Sequence, residues 1–162
     1  MNKNIFIALG ANIGDPLTNF LEARTLLAQD TTVIQSSSCY KTKPYGPKDQ
    51  PDFLNAVVQV QTSLSSEALF EKMQTIETVL GKNKTRVNGP RAIDLDLLFY
   101  GNEHIMSNNI TVPHPKIAER DFVLLPLTEI APKFIHPTLN TSMENLLASL
   151  NETFFTGDKF NW

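Results

Sequence analysis

The stretch "NGPRAIDLDLLFYG", residues 88–101, decides how this chain is read. Its centre has the apolar and aromatic character of a strand, yet it carries Asp94 and Asp96, and aspartate is among the residues strands use least. Side chains alternate along a strand, so both carboxylates share one face, with Ile93, Leu95, Leu97 and Phe99 expected on the other. Adjacent like charges repel unless a cation lies between them. A lone aspartate would usually mark a solvated face. Two at i and i+2, with no cysteine or histidine cluster beside them, suit a hard cation such as Mg2+, which keeps waters and takes further ligands from phosphates.

Immediately upstream, "KNKTRVNGPR" (82–91) holds Lys82, Lys84, Arg86 and Arg91 without one acid, in a chain of net charge −3. A charge run is most often a solvated loop. Placed directly before a carboxylate pair, it sets cations beside a metal site, as polyphosphate chemistry requires. Arg91 is the strongest single candidate, because Gly89-Pro90 fixes its approach to the strand.

The remaining bulk properties narrow the partners. A length of 162 residues fits one domain with a real core, and 41% hydrophobic with 19% charged residues describes an ordinary globule. The acidic balance argues against nucleic acid or an anionic membrane as partner. Cys39 alone excludes an internal disulfide, and the apolar run "IFIAL" is too short for a signal core or a membrane span. A cytoplasmic monomer acting on small molecules is expected. "GANIG" matches neither phosphate-binding glycine fingerprint and reads as a turn.

Around these motifs the chain punctuates itself. "NIFIALG" reads as a buried central strand, and Asp15-Pro16 opens a helix to about Asp30, with Leu17, Phe20, Leu21, Leu27 and Ala28 on its apolar stripe. A second strand lies near Thr32–Thr42, and the proline-rich "KPYGPKDQP" is a loop. The third strand, about Asp52–Thr62, puts Leu54, Ala56, Val58 and Val60 on one face and Phe53, Asn55, Gln59 and Gln61 on the other. A helix over about Ser66–Leu80 closes at Gly81, and the aspartate strand is the fourth. Beyond Gly101 come a small hairpin near His104–Val112 and helices near Phe122–Ile130 and Ser142–Leu150.

The order β-α-β-β-α-β predicts an α+β fold, a ferredoxin-like sandwich with an antiparallel sheet, extended by the C-terminal hairpin and helices. Its strand order is 4-1-3-2, with the first two helices on one face. Phe53, Asn55, Asp94 and Asp96 then share the other face, the two pairs about two strand spacings, ~10 Å, apart. Ala8 on the intervening strand leaves floor space between them.

Elsewhere, "VPHPKIAERDF" places His114 between two prolines, followed by Arg120 and Phe122. Gln74 and Glu77 lie three apart on a helix flank, a spacing usually found on solvated faces. The open alternatives are a small-molecule sensor and a sheet-surface RNA binder; the acidic charge and missing basic-aromatic run weigh against the latter.

Taken together, "ALGANIGD", "YKTKPYGPKDQPDFLNAVV", "NGPRAIDLDLLFYG" and "VPHPKIAERDFVLLPLTEIAP" resemble the 6-hydroxymethyl-7,8-dihydropterin pyrophosphokinase family of folate biosynthesis, over about Ile5–Pro132. The resemblance implies transfer of the diphosphoryl group of ATP to the pterin hydroxymethyl oxygen, with AMP released. It implies that Asp94 and Asp96 hold two Mg2+ ions, and that Phe53 and Phe122 sandwich the pterin. Asn55, Thr42, Lys43, Tyr45 and Asp94 would complete pterin recognition. Arg91, Arg120 and His114, with Lys82 and Lys84, would contact the triphosphate, and Gln74, Glu77 and Leu97 would lie on the ATP side near the nucleoside. Three positions depart from the family pattern. Asn88 stands where a tryptophan is common, the 82–90 loop is one residue short, and Lys43 and Tyr45 replace a proline and an aliphatic residue. Composition suggests that Lys43–Pro51 and Lys82–Pro90 close over bound ATP.

Overall fold

The structure is a computed structural model that describes residues 3–81 and 89–162. Lys82, Lys84, Arg86 and Asn88, and most of the second proposed closing loop, lie outside the described residues.

The elements run β1 (Ile5–Ala11), α1 (Pro16–Leu27), β2 (Thr32–Ser36), β3 (Cys39–Thr42), β4 (Phe53–Gln61), α2 (Ser66–Val79) and β5 (Asp94–Tyr100). There follow a hairpin of β6 (Ile105–Met106) and β7 (Thr111–Val112), then α3 (Asp121–Ile130), α4 (Met143–Ala148) and β8 (Phe155–Phe160). The main sheet has the order β5-β1-β4-β3-β8, with β2 also pairing β4, and every pairing is antiparallel. Taking β2 and β3 as one interrupted strand, this is the expected 4-1-3-2 arrangement with one further strand at the edge. The interruption has a local cause: Ser37 Oγ accepts from Val57 N at 2.9 Å, so a side chain enters the ladder where backbone would otherwise pair.

Local signals worked where caps were readable. Asp15 Oδ1 accepts from Thr18 N at 3.2 Å, Ser65 Oγ accepts from Ala68 N at 3.1 Å, and Gly81 ends α2 in the left-handed region at φ +84°. In α1 the inward stripe is Phe20, Ala23 and Leu27, whereas Leu21, expected inside, faces solvent.

Both faces of the sheet are covered, which is why β1 is apolar on both sides. On one face α1 and α2 pack Phe20, Leu27, Leu69, Met73 and Ile76 against Ile5, Ile7, Leu9, Ala56, Val58, Leu95 and Leu97. On the other, α3 and α4 bring Leu124, Leu127 and Met143 against Phe6, Val57, Leu98 and Phe99. Phe99 is a correction to strict alternation, which placed it opposite the aspartates. The β1–β5 register shifts between Phe6 and Ile7, pairing Ile7 with Leu97 and Phe6 with Phe99. The extra residue, Leu98, reverses the side-chain parity, so Phe99 joins the α3 core.

Candidate active site

Helix α3 covers only part of its sheet face. Ahead of its N-terminus the strands form the floor of a cleft lined by Ala8, Leu9, Gly10, Thr42, Lys43, Tyr45, Phe53, Asn55, Gly89, Arg91, Asp94, Asp96, Arg120, Phe122 and Val123. Register explains the floor. Gly10 pairs with Asn55 on β4 and with Asp94 on β5, while Ala8 pairs with Val57 and Asp96. A glycine and an alanine thus separate the Phe53/Asn55 pair from the aspartates, as the strand order required. Sequence reading found Ala8 but missed Gly10, where a Cβ would come within 3.3 Å of Asn55 Oδ1. The approach is tight, so a Cβ here would press on the Asn55 amide, and only the cross-strand register reveals it.

The β3–β4 half of the cleft is tied together by direct bonds. Asn55, buried, donates from Nδ2 to Thr42 Oγ1 at 2.6 Å. Its Oδ1 is left as the acceptor on the Gly10 side. Tyr45, Phe122 and Phe154 form a triangle of edge-to-face rings, with centroids 5.7, 5.5 and 6.0 Å apart. Phe53 and Phe122 both line the cleft.

Phe154 comes from the C-terminal segment, which sequence reading left without a role. Asp121 Oδ2 accepts from Thr153 Oγ1, Phe154 N and Phe155 N at 2.7, 2.7 and 2.9 Å, and Lys43 N donates to Phe154 O at 2.7 Å. The segment continues as β8 on β3 and ends with Trp162 Nε1 donating to Ser37 O at 2.7 Å. Its β-character was hidden because Gly157 and a Thr-Gly-Asp-Lys run dilute the strand pattern.

The β5 half is charged. Arg91 is 7% exposed, and its backbone is clamped to the end of β1. Arg91 N donates to Asn12 Oδ1 at 2.8 Å, and Arg91 O accepts from Asn12 N at 2.9 Å. Asn12 Nδ2 also donates to Pro51 O at 2.9 Å and Gln50 Oε1 at 3.0 Å, joining the loop after β3 to the Arg91 segment. Read only as part of a turn, Asn12 gave no signal of this bracket in the sequence. Arg91 Nη1 and Arg120 Nε are buried without a hydrogen-bond partner among the described residues. Buried guanidinium nitrogens normally find acceptors, and an anion in this cleft could supply them.

His114 stands beside this half without lining the cleft. Its backbone N donates to Leu98 O at 3.0 Å, and its Nδ1 accepts from Lys116 N at 3.1 Å, which leaves the ring proton on Nε2. Burial, and then the Arg120 charge, hold its pKa down at about 4 against an opposing pull from Asp94, so it is neutral at pH 7.

Three residues assigned to the nucleoside lie off the cleft. Leu97 is buried against the α1/α2 core, and Gln74 is exposed on α2. Glu77 is not the solvated flank residue that helical spacing indicated. It is buried, and its Oε2 accepts from Leu95 N at 2.8 Å, satisfying an amide on the open edge of the sheet. Among the described residues no cluster of three or more His, Cys, Asp or Glu could hold a metal, so any cation here would have Asp94 and Asp96 as its protein donors. Two carboxylates beside orphaned guanidinium nitrogens fit a hard divalent ion arriving with a polyphosphate. No helix of the described residues is long and apolar enough to cross a membrane.

Solved structures first establish the fold. The fold matches crystallised HPPK-DHPS proteins, among them the Plasmodium falciparum wild-type protein with pteroate, at TM-score 0.73 and 16% identity over 91% of this chain and 42% of that one. Sequence then makes it specific. The profile of the 7,8-dihydro-6-hydroxymethylpterin-pyrophosphokinase (HPPK) family matches residues 6–132, and the chain belongs to that family. Among its relatives, the 2-amino-4-hydroxy-6-hydroxymethyldihydropteridine pyrophosphokinase of Bacillus subtilis is 46% identical over 80% of this chain and 79% of its own length. The Haemophilus influenzae protein of the same name is 42% identical over 82% and 84%. The chain spans only 19% of another relative, a folic acid synthesis protein of Pneumocystis carinii, at 42% identity.

Proposed function

We propose that the protein performs the reaction its family is named for, as a Mg2+-dependent diphosphotransferase of folate synthesis. It transfers the β,γ-diphosphoryl group of ATP to the hydroxymethyl oxygen of 6-hydroxymethyl-7,8-dihydropterin. The observation that carries this reading is the opposition, across the narrow floor of Gly10 and Ala8, of an aromatic and amide wall to paired carboxylates with unsatisfied arginines.

The flat pterin lies between Phe53 and Phe122, and Asn55 Oδ1 accepts from its N–H edge, with Thr42 holding the amide in that orientation. Lys43 and Tyr45 border the same wall. Arg91 Nη1 and Arg120 Nε find their missing acceptors in the triphosphate, and neutral His114 donates from Nε2 without adding charge. Asp94 and Asp96 would hold two Mg2+ ions, which would supply charge neutralisation of the polyphosphate. The hydroxymethyl oxygen bonds to the β-phosphorus, the bond from that phosphorus to the α,β-bridging oxygen breaks, and AMP leaves with the electron pair. The hydroxyl proton departs toward the aspartate side of the cleft. Transfer of this kind needs positioning and charge neutralisation more than covalent help. Lys82 and Lys84 are assigned to the triphosphate with the two arginines, and Gln74, Glu77 and Leu97 to the ATP side near the nucleoside, although all three lie off the cleft described above. The chain is read as one domain, acting as a cytoplasmic monomer on small molecules, with no nucleic acid or membrane partner.

The test is product analysis. AMP should form only with ATP, Mg2+ and the reduced pterin all present. ADP would mean an ordinary kinase, and neither product would favour a ligand sensor.

A further inference from the structure

Tyr45 departs from the aliphatic residue expected in "TKPYG", and its ring does more than widen the pterin wall. The Arg120 guanidinium lies over it, Cζ to centroid 4.9 Å, and over Phe122 at 5.5 Å. Arg120 Nε is buried with no hydrogen-bond partner among the described residues, so the two ring faces are what orient that end of the side chain. Tyr45 is itself fixed from behind. Phe154 packs on it at 5.5 Å, Phe154 O accepts from Lys43 N two residues before Tyr45, and Asp121 anchors the Phe154 and Phe155 amides. Asp121 directly follows Arg120 in the chain, so one carboxylate ties the arginine's own backbone to the segment that supports the ring.

We propose that Tyr45, backed by Phe154 of the C-terminal segment, is a positioning residue that holds Arg120 ready for the nucleotide's phosphates. An aliphatic side chain could fill the space but has no negative ring face for the guanidinium. Released from the rings, Arg120 would be drawn toward Asp94 and Asp96, the carboxylates lining the same cleft. A tail outside the family-matched segment thereby reaches the phosphate half through two aromatic contacts. The inference rests on the assignment of Arg120 to the triphosphate.

The experiment pairs a spectroscopic reading with kinetics. In the intact protein the Arg120 Nε–H NMR resonance, assigned by its loss in Arg120→Lys, should be displaced upfield by the rings. Tyr45→Phe should retain that displacement, Tyr45→Leu should lose the larger part of it and keep only what Phe122 contributes, and Phe154→Leu, which preserves apolar packing, should reduce it. In steady-state assays Tyr45→Leu should raise the KM for ATP about 5- to 30-fold, with a smaller change for the pterin, and Tyr45→Phe should recover most of the loss. An unmoved Arg120 resonance in Tyr45→Leu, or equal KM losses for both substrates, would overturn the proposal. Wild-type protein that forms no AMP would count against the diphosphotransfer reading instead, and the resonance would still decide the prop.

Discussion

The two halves of the cleft are finished to different degrees. On the β3–β4 side the polar and aromatic groups have partners: Asn55 holds Thr42, Lys43 holds the Phe154 carbonyl, and Tyr45, Phe122 and Phe154 close on one another. On the β5 side Arg91 Nη1 is buried and unsatisfied among the described residues, and so is Arg120 Nε where the halves meet. A neutral flat ligand is recognised by shape and one amide edge, which the protein can complete without it. A polyanion is recognised by charge, and donors already paired within the protein would have to break those bonds first. The aromatic half is preformed, and in the proposed reaction the charged half is completed by the triphosphate.

The largest way to break this contrast is to remove the carboxylates. Asp94→Ala or Asp96→Ala should lower kcat about 10³-fold while leaving the melting temperature near that of wild type. Near-normal turnover at saturating Mg2+ would contradict the metal assignment. On the other half, Phe53→Ala should cost the pterin about 1–3 kcal/mol of binding, with ATP affinity unaffected. A pterin Kd that calorimetry finds unchanged would take Phe53 out of the wall. Subtler still is Gly10→Ala, whose new Cβ crowds Asn55 Oδ1 at 3.3 Å. It should weaken pterin binding about 10-fold, roughly 1.4 kcal/mol, and leave the sheet folded. An unaltered pterin Kd would show that the floor has more room than the register implies.

The smallest effect lies away from the cleft. His136 is buried and its Nδ1 accepts from Thr138 N and Leu139 N, at 3.2 and 3.1 Å. Burial and then His104 lower its pKa below the usual 6.5. The unfolded chain therefore takes up the proton first. Stability should be level above about pH 6.5 and decline as the pH falls below it. His114 is shifted in the same direction, so His136→Asn should flatten that decline without abolishing it. Urea unfolding at pH 5 and pH 7 measures the difference; an identical pH dependence in the variant would exclude a His136 contribution.

Much of the fold and of the cleft is legible in the amino-acid sequence. Period-two alternation finds the aspartate pair and the Phe53/Asn55 face, the basic run points to Arg91, and Asp15, Ser66 and Gly81 mark helix boundaries within a residue or so. Alternation fails where the ladder slips: the register shift beside Leu98 turns Phe99 to the other face. Glu77 looks solvated because helical periodicity says nothing about an open strand edge next to it. The Phe154–Trp162 segment is illegible because its partners, Lys43, Asp121 and Ser37, lie far away in the chain.

Sequence by itself determined the class of fold, the strand order and the sheet face that lines the cleft, because these follow from local periodicity, caps and the charge of neighbouring residues. Tertiary structure alone decided that Gly10 packs closely on Asn55, that Asn12 joins two loops, that Glu77 seals the sheet edge and that a distant tail backs Tyr45. Each of those depends on atoms brought together across strands or from opposite ends of the chain, and spacing along a sequence carries no record of such distances.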